Sequence, residues 1–180
     1  VPNNSARNLV IRKSNVIAVI IRGRGNPFFA RLIKIIEPEL NEHGYEMSVH
    51  HIDTSDDELK AAALLEREKR LKGIIFLGGR FNYHADDIAA IKVPFVCCSY
   101  TNVFGALEEG SYSSVAIDDK KAARQAVEYL LQKGHKRIAA LIEHTGGGSI
   151  SQLRYEGYVG ALQDAGLALD ASLVGCAGSF

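Results

Sequence analysis

Short apolar runs alternate along this chain with longer stretches whose apolar residues recur every three or four positions. Val16 to Ile21 is a run rich in Val and Ile, as a strand buried on both faces should be. Phe28, Phe29, Leu32, Ile33, Ile36 and Leu40 then recur at helical spacing, with Gly44 placed to end that helix. Pro38 sits late in it and predicts a kink or an early stop, because proline removes a backbone donor. Glu46 to Ile52 reads as a second strand and Asp56 to Arg70 as a helix capped by Asp56, with Leu59, Ala62, Ala63 and Leu65 facing inward. Gly73 to Leu77 is a third strand, Asp86 to Ile91 a short helix, and Val93 to Cys98 a fourth strand. After a loop, Ser114 to Ile117 predicts a fifth strand. Asp118 or Asp119 then caps a helix that buries Ala122, Ala123, Ala126, Val127, Leu130 and Leu131 and closes at Gly134. Arg137 to Ile142 is a sixth strand. A last helix starts at Ser149 or Ser151 and ends near Gly166, and Val174 to Cys176 begins another strand.

Strands separated in this way by helices predict βαβ units: an α/β fold with a parallel, doubly wound sheet and helices on both faces. In such sheets ligands bind at the carboxyl ends of the strands. The segments that matter are therefore Arg22 to Phe29, Gly78 to Asn82, Ser99 to Asn102, Asp118 to Asp119 and Glu143 to Arg154.

Composition narrows the function classes. The 180 residues carry 21 basic and 21 acidic side chains, so the net charge is zero, which argues against a free-standing nucleic-acid binder working by a broad basic surface. The 47% hydrophobic content is that of a packed protein rather than a disordered one. The longest apolar run is far shorter than the roughly 20 residues that span a bilayer. Cys97 and Cys98 are adjacent in an apolar run, Cys176 is remote, and no CxxC pair exists, so reduced thiols in a cytoplasmic protein are expected, with neither disulfide nor zinc.

Motifs for catalysis are absent. Gly23-Arg24-Gly25 follows the first strand, but Phe28 stands where the third glycine of GxGxxG would be. No Walker loop and no GxSxG elbow occurs. His50 and His51 are strand neighbours and face opposite ways, which argues against a metal pair. We therefore expect no catalytic residues, no metal and no cofactor. Asn26-Pro27-Phe28-Phe29 is more telling. Pro27 suits a first helical turn, Asn26 can cap the helix or bond a ligand, and two aromatics there can stack on a sugar ring or a base. Core packing of both rings is the competing reading. Arg154 lies early in the last helix, where a cation is disfavoured by the helix dipole. This makes it either a solvated charge or a fork for ligand hydroxyls or a carboxylate.

Several motifs, taken in order, resemble the lactose-repressor/galactose-repressor family of bacterial transcription regulators. Pro2 to Leu9 is similar to the hinge between DNA-binding headpiece and sensor. The first strand with Asn26-Pro27-Phe28-Phe29 resembles the start of the sensor. Lys72 to Phe76, Val93 to Val96, Val115 to Asp119, Ala126 to Leu131, Gly134 to Ala139 and Arg154 to Tyr158 continue the pattern over nearly the whole chain.

The resemblance implies a periplasmic-binding-protein-like sensor of two lobes. Residues 1–14 would be the hinge to a headpiece not included. Residues 15–136 would form a first lobe complete to its crossover, and 137–180 the start of an incomplete second lobe. It implies a small effector, a sugar or sugar derivative, bound by Asn26, Phe28, Phe29, Ser99, Tyr100 and Arg154, although Ser99 and Tyr100 replace the Asp-Arg pair common in related sugar binders. It implies contact with operator DNA through the headpiece and through Ala6, Arg7 and Leu9 of the hinge, the leucine wedging into the minor groove. The expected protein is a cytoplasmic homodimeric repressor, with no membrane contact and no enzyme activity. A periplasmic-type solute-binding protein for sugar transport is the alternative.

Overall fold

The computed structural model describes residues 14–23, 25–108, 110–143 and 147–176. The chain divides into two compact units. Within the described residues the first comprises 14–79, 84–98 and 107–114, and the second 80–83, 99–106 and 115–176.

The first unit is built on strands β1 (Val16–Arg22), β2 (Glu46–Ile52), β3 (Gly73–Leu77), β4 (Phe95–Cys98) and β5 (Ser113–Val115, whose last residue falls in the second unit), in the sheet order β2-β1-β3-β4-β5. β1 pairs in parallel with β2 and β3, and β3 with β4. Side chains that alternate along β1 explain why helices are needed on both sides. Val19 and Ile21, with Leu77, form one cluster, covered by Phe29, Leu32, Ile33 and Ile36 of helix α1 (Pro27–Glu42). Ala18 and Ile20 point the other way, with Ile74, Phe76 and Cys97, and are buried too. Helix α2 (Glu58–Lys69) packs against β1 and buries Leu59, Ala62 and Ala63. Phe76 meets the Phe95 ring edge-on at 5.7 Å between centroids. The doubly wound reading of the apolar pattern is thus what the first unit forms.

Element ends follow local chemistry. Asn26 caps α1 by accepting from the Phe28 N–H, with Pro27 at the first helical position. Pro38 does not stop the helix, which runs on to Glu42; His43 caps its end and Gly44 turns the chain at φ +77°. Asp57, not Asp56, caps α2, accepting from Leu59 and Lys60. Asp56 instead accepts from the Asp53 N–H in the turn before it. The short helix α3 is limited to Ala85–Ile88.

The second unit holds helix α4 (Asp119–Gln132), strand β6 (Ala140–Ile142), helix α5 (Ile150–Asp164), a 3-10 turn (Ala171–Leu173) and strand β7 (Val174–Cys176). β6 and β7 pair in parallel. Val127 of α4 joins Ile138, Tyr158, Ala161 and Leu162 in one core, flanked by Leu131, Tyr155 and Val174. The Tyr158 hydroxyl donates to the Ile138 carbonyl at 2.9 Å, so this buried polar group is satisfied. The stripe expected for α4 is buried only in part: Val127 lies in this core and Leu131 packs against it, while Ala122, Ala126 and Leu130 are exposed. The second compact unit takes up the chain at Val115, whereas the resemblance implied a second lobe from residue 137. β6 is also shorter than expected, beginning at Ala140. The stretch 80–83 pairs with 99–106 in this unit. The Asn102 side chain accepts from the Tyr83 N–H at 2.6 Å and donates to its carbonyl at 2.9 Å.

Candidate functional site

The candidate residues sit at segment ends in both units. In the first unit, Asn26 and Phe28 stand at the start of α1, just past the carboxyl end of β1. The Asn26 carboxamide oxygen is used in the cap, which fixes the side chain. Phe28 is 53% exposed and lies 5.7 Å from Phe29 in a tilted pair. Phe29 differs. Its ring packs into the cluster of Val19, Ile21 and Leu77, and it lies so close to Gly78 that a Cβ there would sit 2.9 Å from the ring. Of the two competing readings, Phe29 takes the core one and Phe28 stays accessible.

In the second unit the expected pair after β4 is split: Ser99 is partly exposed and Tyr100 is buried. Tyr100 is 1% exposed, wedged edge-on against Phe81 and Tyr83, with its hydroxyl 3.4 Å from that of Tyr83. Its expected ligand contact is corrected to a core role: the ring fills the joint between 80–83 and 99–106. Ser99 adopts φ +74° and donates its backbone N–H to Val115, so its conformation serves the turn.

Arg154 is the informative member. It lies in the second turn of α5, and its Nε donates to Asp119 Oδ1 at 2.8 Å. Asp119 is buried, at 6% exposure, whereas the arginine side chain is 57% exposed. Asp118 performs the cap of α4, accepting from Lys121, which frees Asp119 for this pairing. Among the described residues the terminal guanidinium nitrogens of Arg154 have no protein partner. A buried carboxylate thus holds one edge of the fork while the other edge stays available, a geometry suited to hydroxyl or carboxylate oxygens. Sequence reasoning missed Asp119 in this role. The available signal was the doublet Asp118-Asp119 at a helix start, where one cap suffices.

Nearby, the loop before α5 is fixed by Ser149, which caps the helix, and by Gly148, whose Cα faces the Phe104 ring. Ala6, Arg7 and Leu9 of the expected hinge lie outside the described residues. Among the described residues no cluster of three His, Cys, Asp or Glu side chains could hold a metal, and no helix is long and apolar enough to cross a membrane.

Residues 14–177 match the family described as periplasmic binding proteins and sugar binding domain of the LacI family. The chain is 36% identical over 176 residues to the HTH-type transcriptional regulator MalR of Clostridium butyricum, covering 97% of this chain and 52% of that protein. It is 30% identical to the HTH-type transcriptional repressor CytR of Escherichia coli K12, covering 94% of this chain and 48% of that one. Among solved structures, a LacI family transcriptional regulator from Mycobacterium smegmatis is 30% identical with a TM-score of 0.65, over 90% of this chain and 56% of that one. A LacI family transcriptional regulator from Lactobacillus casei, solved with bound sucrose, is 25% identical with a TM-score of 0.70, over 89% of this chain and 57% of that one. The chain spans about half the length of the curated relatives it matches. On the match across 14–177 and on these relatives, the chain belongs to the LacI family, within its periplasmic-binding-protein-like sugar-binding domain.

Proposed function

We propose that this chain is the effector-sensing part of a transcription regulator, a cytoplasmic homodimeric repressor without enzyme activity. Its ligand is a small, sugar-like molecule. The observation that carries this reading is the Arg154 fork, oriented by buried Asp119 and open on its far side. Phe28, exposed at the start of α1, supplies an apolar ring of the kind that stacks on a sugar face. The curated relatives are transcriptional regulators, which favours this reading over a transport solute-binding protein. In the full-length regulator, ligand would favour one arrangement of the two lobes, and through the hinge change the affinity for operator DNA. Such coupling requires that the ligand bind the two arrangements unequally.

The test uses the full-length protein and a panel of neutral mono- and disaccharides, with nucleosides as a second arm. One class is expected to raise the melting temperature saturably, as a ligand of the folded state does, and to change operator affinity. Arg154→Ala should weaken that ligand about tenfold or more, since charge-assisted hydrogen bonds are worth roughly 1.5–3 kcal/mol. An unaltered response in Arg154→Ala would remove the site from the arginine.

A further inference from the structure

The two adjacent histidines of β2 point to opposite faces of the strand, and His50 is the one that meets Ser48 and Lys69. Ser48 and His50 are two residues apart and so share one face of the strand, while His51 points away. β2 is an edge strand of the sheet. Lys69, the last residue of α2, reaches the same spot. Its Nζ lies 3.1 Å from Ser48 Oγ and 3.4 Å from His50 Nε2, and Ser48 Oγ lies 2.9 Å from His50 Nε2. Three polar atoms from two elements therefore converge within hydrogen-bond range of one another. Lys69 has no carboxylate in salt-bridge range among the described residues, so its charge is met only by neutral oxygen and nitrogen.

The surroundings add to the positive balance. Arg67, Lys69 and Arg70 cluster at the end of α2, and Lys72 follows. The acidic groups there are Glu66, whose carboxylate accepts from the Lys92 N–H, Glu68, which acts on His50, and Glu46, exposed on the same face of β2 two residues before Ser48. The strand beside His50 presents Ile20, which is apolar.

We propose that Ser48, His50 and Lys69 form an oxyanion site for a phosphoryl group, free or carried as a monoester. A serine hydroxyl, an ammonium and an imidazolium together supply donors to three oxygens of such a group. His50 changes role between the two states. Without anion its neutral ring faces an ammonium; burial first, and Lys69 second, hold its pKa below the ordinary 6.5, against the opposing pull of Glu68. With the anion present its protonated ring becomes a third donor. Binding is then coupled to proton uptake, so the affinity rises as pH falls through the titration of His50, by at most about tenfold per pH unit.

The experiment follows His50 by NMR in full-length protein with isotope-labelled histidine, the signal being assigned by its loss in His50→Gln. Inorganic phosphate, titrated at constant ionic strength, is expected to raise the His50 midpoint saturably by about one unit. Lys69→Met should abolish that rise. A methyl phosphate arm separates the sources: a rise with both ligands supports a monoester site, and a rise with inorganic phosphate alone supports a site for the free ion. A midpoint unmoved by either ligand, an equal rise in Lys69→Met, or an equal rise with sodium chloride overturns the proposal. A sugar response that survives in Lys69→Met keeps this test separate from that of the effector site.

Discussion

Gly157→Ala is expected to destabilise the protein by about 2–3 kcal/mol, and Gly157→Leu by more, although glycine is a poor helix former. Intrinsic propensity alone predicts the opposite sign, since alanine gains about 1 kcal/mol over glycine in a helix interior. Packing decides the outcome. A Cβ at Gly157 would overlap the Lys120 carbonyl of α4 and stand only 3.1 Å from the Arg124 backbone nitrogen. Both neighbours are backbone, so neither can swing aside. The helices would have to separate, opening the core of Val127, Tyr158, Ala161 and Leu162. Gly160 is the internal control. A Cβ there would meet only the end of the Arg124 side chain, at 3.4 Å, which can move. Gly160→Ala should therefore be neutral or slightly stabilising. Urea unfolding of the three variants reads the difference, and equal midpoints for Gly157→Ala and Gly160→Ala would refute the close approach of the helices.

Phe76→Ala should cost about 3–5 kcal/mol, the usual range for emptying a buried phenylalanine site. Phe76 is fully buried in β3, between β1 and β4, where its cross-strand neighbours are Ile20 and Cys97. Those partners belong to a paired sheet and cannot collapse into the gap. Against a total stability of roughly 5–15 kcal/mol, such a loss leaves a marginal protein. Phe28→Ala is the contrast. With half its ring in solvent, the change should move the unfolding midpoint little, while weakening an effector that stacks on it. A stability loss for Phe28→Ala as large as that for Phe76→Ala would place the ring in the core instead.

The pattern of the first unit was legible because its period changes sharply. Val16 to Ile21 can be read as a strand buried on both faces, and α1 follows with an unbroken stripe from Phe29 to Ile36. Ends were less legible where two residues compete for one task. Asp56 and Asp57 are both competent caps, and only the turn from Asp53 decides between them. The division at Val115 could not be read from the pattern, because an amphipathic helix shows which face it buries but not against what. An apolar stripe suits a sheet as well as a helix; here only Val127 and Leu131 of α4 pack into the core with α5, which Gly157 lets approach closely. The same limit applied to Tyr100: its place after β4 suggested a ligand contact, yet its ring fills a joint with Phe81 and Tyr83 that sequence spacing does not display.

The pairing of Arg154 with Asp119 bears on selectivity. The buried Asp119 carboxylate offsets part of the positive charge, so on the proposed reading the free edge of the fork draws an anion less than a lone arginine would. A neutral polyol loses little by leaving water for such a surface, whereas an acidic or phosphorylated sugar would surrender strong hydration for a weakened field. On the proposed reading, discrimination here rests on the orientation of hydroxyl groups around an uncharged ring.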